Sequence, residues 1–161
     1  MSGRAAVMIF IAKGESGPEI LLLKRKKNPN DKWSGQICLP GGMAEKDDED
    51  LLETAIREAK EEAGIEVDRG SIVLALDPVS PSNSPSLKVS PFVAKIEEKP
   101  EVKPGDEIED AAWVPISALK EVDPKAYGLS GEWAYETEKG IVWGMTARII
   151  KKILGLDRIT S

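Results

Sequence analysis

The chain has 161 residues, of which 41% are hydrophobic and 31% charged, and its formal net charge is -6. This size and composition predict one globular domain over residues 1–161 with a buried core, and they exclude a disordered chain. The negative charge argues against a nucleic-acid-binding surface, and no apolar run is long enough for a membrane span.

The chain contains no histidine and a single cysteine, Cys38. The lack of histidine excludes Ser-His-Asp and Cys-His nucleophile systems and histidine-based zinc sites. Acid–base chemistry therefore falls to carboxylates, lysine, tyrosine or metal-bound water. One cysteine cannot form an internal disulfide, which fits a cytoplasmic location, and nothing at the N-terminus resembles a signal peptide. We expect Cys38 to be a small buried hydrophobe within a strand.

The first predicted elements form a hairpin. Apolar residues over 4–12 predict a strand, a turn with two glycines and a proline covers 13–18, and residues 19–25 return as a second strand. A short strand is predicted over 36–39, and the Pro-Gly-Gly sequence at 40–42 then opens a loop.

An amphipathic helix is predicted after this loop. Its apolar stripe recurs at helical spacing and consists of Leu52, Ala55, Ile56, Ala59 and Ala63. We expect Asp47 or Asp48 to be its N-cap, and Gly64 to end it in the left-handed conformation.

Further strands are predicted over 72–76, 87–96 and 111–114, and an amphipathic helix over 140–155 closes the chain. We expect Trp113 and Trp143 to be core residues. Strands and helices mingle without strict alternation, which indicates an α/β (α+β) fold with a mixed sheet between helices.

Three glutamates near the end of the first helix carry the main chemical signal. Glu58, Glu61 and Glu62 are spaced i, i+3 and i+4, so their carboxylates share one helix face. Like charges at this spacing repel, and a cation held among them would remove the penalty. Hard oxygen ligands suit Mg²⁺ or Mn²⁺, which typically bridge carboxylates to phosphates. The pattern favours a metal-dependent phosphate site; the alternative is a solvated helix face.

The same segment resembles the Nudix box. Residues 57–65 match its second half, Arg-Glu-apolar-any-Glu-Glu-any-Gly-apolar, position for position. The first half is one residue longer than the general pattern, so the upstream glutamate of the family falls on Asp48 or Glu49. The resemblance implies a Nudix-type α/β/α sandwich with a mixed β-sheet, and a divalent-metal-dependent pyrophosphohydrolase that cleaves a nucleoside diphosphate linked to another moiety.

The longer box is similar to that of the coenzyme A pyrophosphatase branch of this superfamily. Further segments similar to the branch are Leu22-Leu23-Lys24-Arg25, Gly35-Gln36, Leu39-Pro40-Gly41-Gly42, Thr54-Ala55-Ile56-Arg57-Glu58-Ala59 and Trp143-Gly144-Met145-Thr146-Ala147. Coenzyme A or a derivative is therefore the leading substrate, with ADP-ribose, dinucleoside polyphosphates and oxidised nucleotides as alternatives. Trp33 and Asp31 stand where the branch has a histidine and a basic residue, which puts the substrate in question more than the reaction.

The resemblance implies a metal site and an orienting residue. Glu58, Glu61 and Glu62, with the Gly41 carbonyl, would hold Mg²⁺ or Mn²⁺, and Arg57 would orient an adjacent acid through its planar guanidinium group.

The general base is expected to be a carboxylate because histidine is absent. Glu58 or Glu62 is one candidate. Glu107, in the acidic loop 105–110, is the other, and its alternative role is that of a solubilising surface residue.

Substrate contacts are expected from the second strand and the loops beside it. Gly41 and Gly42 would let the backbone approach the substrate, and Trp33 would either stack on a base or cover an apolar edge. The candidates for holding the outer phosphates are Lys24, Arg25, Lys26, Lys27 and Lys32. For Lys26, Lys27 and Lys32 the alternative is a solvated turn.

The expected partner is a small nucleotide-diphosphate substrate, with a homodimer expected only by analogy to the family and neither nucleic acid nor membrane expected. A Nudix-fold module that binds a nucleotide without cutting it is the alternative of another class. Such modules usually lose box glutamates, and the presence of Glu58, Glu61 and Glu62 favours the enzyme.

Overall fold

A computed structural model describes residues 3–31 and 33–160. Seven strands form the main sheet: β1 (Arg4–Gly14), β2 (Gly17–Arg25), β3 (Ile37–Cys38), β4 (Gly41–Met43), β5 (Ile72–Ala75), β6 (Lys88–Ile96) and β7 (Ile108–Pro115). Their order is β3-β2-β1-β6-β5, with β4 also paired to β1 and β7 to β2. β1 and β6 run parallel, whereas the other pairs are antiparallel, so the predicted mixed sheet is confirmed.

β1 is the central strand, and both of its faces are buried. Ala6, Met8 and Phe10 belong to one apolar cluster, whereas Val7 and Ile9 belong to a second cluster on the opposite face. Successive side chains of a strand alternate between the faces of the sheet, so a strand buried on both sides is apolar throughout. The continuous apolar run over 5–12, which predicted a strand, thus lies in the middle layer of the fold.

The first helix, α1 (Leu51–Ala63), covers the face of the sheet that carries Met8 and Phe10. Ala55, Ala59 and Ala63 are fully buried against that face. Gly64 ends the helix with φ 68°, as predicted. The predicted N-cap was wrong: the Asp50 side chain, rather than that of Asp47 or Asp48, accepts the hydrogen bond from a first-turn N–H.

The C-terminal part forms the third layer. A three-stranded sheet, which was not predicted, consists of β8 (Lys120–Val122), β9 (Ala134–Thr137) and β10 (Gly140–Val142). The second helix, α2 (Gly144–Leu154), buries Ile149, Ile150 and Ile153 in the cluster that contains Val7 and Ile9. The prediction of a helix over 140–155 was therefore wrong in its first turn, because residues 140–142 pair with β9.

A short final helix, α3 (Asp157–Thr160), packs Ile159 into the same cluster as α2. Helices thus lie on both faces of the mixed sheet, and the α/β/α sandwich predicted from the sequence is confirmed. Within residues 3–31 and 33–160, every helix is too short or too polar to cross a bilayer.

Candidate active site

A cleft of about 540 Å³ opens at the end of β4, between α1 and the N-terminus of α2. Gly41, Gly42, Glu58, Glu62 and Arg25 line its polar side. The prediction that residues 40–42 open a loop was wrong for the two glycines: Gly41 and Gly42 belong to β4, because their backbone pairs with Ala6 and Val7 of β1. The sheet therefore positions the two glycines of the box beside the glutamates of α1.

Glu62 is the most buried carboxylate of the cleft, with a side chain 9% exposed. Its Oε1 accepts a hydrogen bond from the Gly41 N–H at 2.9 Å, and its Oε2 lies 3.3 Å from Nη1 of Arg25. Burial raises the pKa of Glu62 to about 7, although Gly41 and Arg25 both favour the charged form. A carboxylate with such a pKa can exchange protons near neutral pH.

Glu58 faces the same cleft one helical turn earlier. Desolvation raises its pKa, although Nη1 of Arg57 donates a hydrogen bond to its Oε1 at 2.8 Å. Its carboxylate lies directly over Gly42: a Cβ at that position would be 2.6 Å from the carboxyl carbon. Gly42 is thus required for space, because any side chain there would displace Glu58.

Arg57 connects Glu58 to the upstream acid of the box. Its Nε and Nη2 donate to the two oxygens of Asp48, at 3.1 and 2.9 Å. The Thr54 hydroxyl and the Glu45 N–H also donate to Asp48, each at 2.8 Å. The bidentate contact with Arg57 is the largest influence that holds the pKa of Asp48 well below its usual range. Of the two predicted alternatives for the upstream acid, the structure therefore favours Asp48 over Glu49.

Arg25 is enclosed by carboxylates. Its Nε donates to Asp31 at 2.7 Å, and its terminal nitrogens lie 3.3 Å from Glu62 and 3.4 Å from Glu107. Burial is the largest single influence on Asp31 and acts to raise its pKa, but the hydrogen bonds from Arg25 and from the Trp33 N–H, together with the charge of Arg25, lower it overall. Arg25, predicted to hold phosphate, thus connects three segments: the loop that carries Asp31, helix α1 and the loop that carries Glu107. The sequence did not predict this role.

Glu61 and Glu107 lie at the margin of the site. The Glu61 side chain is 57% exposed, and its Oε1 lies 3.4 Å from Arg57. Glu107 lines the cleft with a side chain that is 74% exposed. The structure therefore brings Glu58 and Glu62 together in the cleft, whereas Glu61, the third predicted metal ligand, is exposed and does not line it.

Of the predicted basic residues that the structure describes, Arg25 alone lines the cleft. Lys24 lines a separate hollow, with its amine 3.8 Å from Glu109, and Lys26 and Lys27 are exposed on the following loop. Lys32 lies outside the described residues. The alternation of β2 explains the placement of Lys24, because Lys24 and Arg25 project from opposite faces of the strand.

The opposite side of the cleft is mainly apolar. Trp33 lines it and also packs against the core, as expected for a residue that covers an apolar edge, and its stacking on a base stays a prediction. Trp113 packs against the core beside α1, as predicted. Trp143 was predicted as a core residue but lines the cleft, because the extended backbone before α2 turns it towards the opening. The remaining apolar lining includes Leu39, Leu87, Val89 and Met145.

Cys38 also lines the cleft and is partly buried. Desolvation and the adjacent Glu62 charge raise the pKa of its thiol to about 12. The thiolate form is therefore scarce at neutral pH, in agreement with the prediction that Cys38 is not a nucleophile.

The carboxylates of the cleft are suitable ligands for a divalent cation. Across residues 3–31 and 33–160, no three acidic, cysteine or histidine side chains already converge as a ligand group. Glu58 and Glu62 nevertheless present partly buried and buried carboxylates, respectively, to one cleft, and desolvation raises the pKa of both. Oxygen donors suit Mg²⁺ or Mn²⁺, and a cation would offset the cost of burying two like charges, so these residues fit such an ion.

The three layers of the fold, with an acidic helix beside the two glycines of β4, define a class of α/β/α proteins with a carboxylate-lined cleft. A family model described as NUDIX domain matches residues 2–133. The chain belongs to the NUDIX domain family.

Individual relatives agree with this assignment. "Nudix hydrolase 15, mitochondrial" of Arabidopsis thaliana is 31% identical, and the match covers 91% of this chain and 56% of the relative. "Uncharacterized Nudix hydrolase NudL" of Yersinia pestis (strain Pestoides F) is 33% identical, over 93% of this chain and 77% of the relative. The predicted class, a Nudix hydrolase, is confirmed.

A solved structure supports the fold. The NUDIX domain of Shewanella oneidensis NrtR, solved in complex with ADP ribose, superimposes with a TM-score of 0.66 and 15% sequence identity. The match covers 98% of this chain and 88% of that one.

Proposed function

We propose that this chain hydrolyses the diphosphate of a nucleoside diphosphate linked to another moiety, with Mg²⁺ or Mn²⁺ as cofactor. The observation that carries the proposal is the pair of carboxylates of Glu58, partly buried, and Glu62, buried, which face one cleft beside Gly41 and Gly42. A diphosphate is an anion, and it can approach two carboxylates only when cations lie between them. When bound, such a cation neutralises the diphosphate and lowers the pKa of a water.

Different residues of the chain would bind the cation, orient its ligands and accept a proton. Glu58 and Glu62, joined by Glu61 from the margin of the site, would hold the cation, and Arg57 keeps Glu58 in register through its contact with Asp48. Water adds to one phosphorus, the bridging P–O bond breaks, and the products are two monophosphates. Glu62 is the favoured acceptor for the proton of that water because it is the most buried carboxylate that faces the cleft.

Glu107 is the second candidate for the base or for an additional ligand. Its exposed carboxylate reaches the cleft and lies 3.4 Å from Arg25. Arg25 therefore links both candidate bases, and the Glu107→Gln and Glu62→Gln variants compared at several pH values would separate their roles.

The leading substrate is coenzyme A or a derivative, as the sequence resemblance implies. The mainly apolar wall of the cleft supports a large non-phosphate group. ADP-ribose is the alternative, and it is the compound with which the Shewanella structure was solved. A cytoplasmic location, a homodimer and a single domain over residues 1–161 stay predictions.

The decisive experiment is a substrate panel with Mg²⁺ present and with the metal chelated. Coenzyme A, ADP-ribose, diadenosine tetraphosphate and 8-oxo-dGTP are incubated separately, and the phosphate-containing products are identified by mass spectrometry. We expect metal-dependent cleavage within a diphosphate. Tight binding of a panel member with no cleavage of any would favour the non-catalytic module, and cleavage of another conjugate while coenzyme A is spared would remove the substrate assignment.

A further inference from the structure

The outer wall of the cleft is a loop rather than a strand or helix. Residues 78–85 contain three prolines, at 78, 81 and 85, and Pro81, Ser82 and Asn83 line the cleft opposite the carboxylates. Because proline has no N–H, this segment has few backbone donors with which to fix itself. One backbone hydrogen bond lies within the loop, from Ser84 N to the Pro81 carbonyl, and a second one, from Leu87 N to the Ser84 carbonyl, follows at its end.

The base of the loop is tied to the sheet. Val79 and Val89 exchange two backbone hydrogen bonds of 2.8 Å. Beyond this pair, one side-chain hydrogen bond joins the loop to another part of the molecule, within the residues that the structure describes. Arg148, on α2, donates from Nη2 to the Ser80 carbonyl.

This contact lies directly before the part of the loop that lines the cleft. The Ser80 carbonyl belongs to the planar peptide unit that ends at the ring nitrogen of Pro81, so holding the oxygen also holds the start of the proline. Proline further restricts the backbone of the residue before it. Pro81 is buried, whereas Ser82 and Asn83 are exposed at the cleft opening.

The same helix supplies the adjoining part of the wall. Gly144 and Met145 line the cleft, and they precede Arg148 by four and three positions. Arg148 thus fastens the loop to a rigid element that itself contacts the cleft, and residues three and four apart lie on one side of a helix. None of the carboxylates that surround Arg25 and Arg57 is needed for this contact.

Given the proposed hydrolysis in this cleft, we propose that Arg148 is a positioning residue that holds loop 78–85 as the outer wall, and that this wall selects the non-phosphate moiety of the substrate. The wall presents Pro81, Met145 and Leu87 together with the polar groups of Ser82 and Asn83. It therefore suits a moiety that has an apolar or aromatic face and hydrogen-bonding groups at its edge.

The test compares a full conjugate with a fragment that occupies only the phosphate end. KM and kcat are measured for the conjugate of the panel that the wild type cleaves, and Ki is measured for inorganic pyrophosphate as a competitive inhibitor. We expect Arg148→Ala to raise KM about tenfold, with kcat and the pyrophosphate Ki within about twofold of wild type. Arg148→Lys should recover most of the loss, because lysine can still donate one hydrogen bond to the Ser80 carbonyl.

Two further variants separate positioning from general damage. Lys152→Ala, an exposed residue on the same helix, should leave every constant unchanged. The double variant Ser82→Gly/Asn83→Gly alters the wall directly, and its combination with Arg148→Ala should be non-additive in KM. These loop positions are exposed, so the double variant also tests the wall if Arg148→Ala does not fold.

An unchanged KM in folded Arg148→Ala, or an equal rise of KM and of the pyrophosphate Ki, would overturn the positioning role. If the wild type cleaves no conjugate, the proposed function fails separately. In that case the Kd of each variant is measured for coenzyme A, ADP-ribose and pyrophosphate by quenching of tryptophan fluorescence. We expect Arg148→Ala to bind the two conjugates more weakly and pyrophosphate as tightly as the wild type does.

Discussion

Gly42 offers a substitution whose effects on activity and stability should separate. In Gly42→Ala the new Cβ would lie 2.6 Å from the carboxyl carbon of Glu58 and 2.8 Å from each of its oxygens. Ordinary contact begins near 3.4 Å, so the carboxylate must move by about 0.8 Å. The atoms that clash are the end of a flexible side chain, and the backbone at Gly42 does not require a positive φ.

We expect this displacement to lower kcat/KM about 100-fold, because a misplacement of roughly 1 Å in a catalytic site has an effect of that size. That factor corresponds to about 2.7 kcal/mol of transition-state stabilisation. The free energy of unfolding should change by less than about 1 kcal/mol, since the loss of chain entropy in the unfolded state offsets the adjustment of Glu58. Steady-state hydrolysis and urea denaturation of the same preparation measure both quantities.

Gly41→Ala is the matched control. Its Cβ would meet backbone atoms, at 2.4 Å from the Ala6 carbonyl oxygen and 2.8 Å from the Val7 Cα. These atoms belong to the central strand and cannot rotate away, so this variant should lose both stability and activity. If Gly42→Ala retained more than about half of wild-type kcat/KM, the placement of Glu58 as a ligand over Gly42 would be refuted.

Three further outcomes follow from the contacts of the site. Arg57→Lys should lower kcat/KM about 10–100-fold, because lysine cannot make the bidentate contact with Asp48; steady-state kinetics showing wild-type values would contradict its orienting role. Arg25→Met should lower the free energy of unfolding at pH 7 by about 2–3 kcal/mol in guanidinium denaturation, since it leaves buried carboxylates without their cation. In the metal-free protein the free energy of unfolding should fall by at most about 3 kcal/mol as pH rises from 4.5 to 8, because the folded state keeps a proton on Glu62 that the unfolded state releases. Glu62→Gln should flatten that pH dependence, and an unchanged slope would assign it to another group.

Local patterns were sufficient to predict the central layers. The apolar run of β1 and the alanines spaced i, i+4 in α1 are local patterns that are typical of buried segments. Gly64 was predicted to end the helix because this position needs a positive φ. The glutamates of the box were found for the same reason: they are spaced by the geometry of one helix.

The missed features depend on contacts between distant segments. Asp48 was predicted both as a possible helix cap and as a possible upstream acid of the box; the side chain of Arg57, nine residues later, binds it, and capping falls to Asp50. Trp33 was placed correctly at the cleft, whereas the identical residue type at Trp143 was assigned to the core. Only the packing of loop and helix around the opening distinguishes the two.

The C-terminal sheet was missed because its strands carry no strong pattern. β8 has the sequence Lys-Glu-Val and pairs through its backbone with β9. Residues 140–142 continue the i, i+4 apolar spacing of α2, so periodicity alone merged the strand with the helix. The positive φ of Gly144, at 65°, separates them, and its neighbours in sequence do not predict it.

The measurement that tests the carboxylate site most directly is the turnover of Glu61→Gln/Glu62→Gln on the best conjugate of the panel at saturating Mg²⁺. Glu66→Gln, an exposed position beyond the helix, is the control. We expect the double variant to stay folded and to bind the conjugate with a Kd close to that of the wild type. Its kcat should fall at least about 1,000-fold, because the variant lacks two of the three proposed carboxylate ligands and the favoured proton acceptor. Hydrolysis at a near-normal rate by the double variant would contradict a metal-dependent reaction at this site.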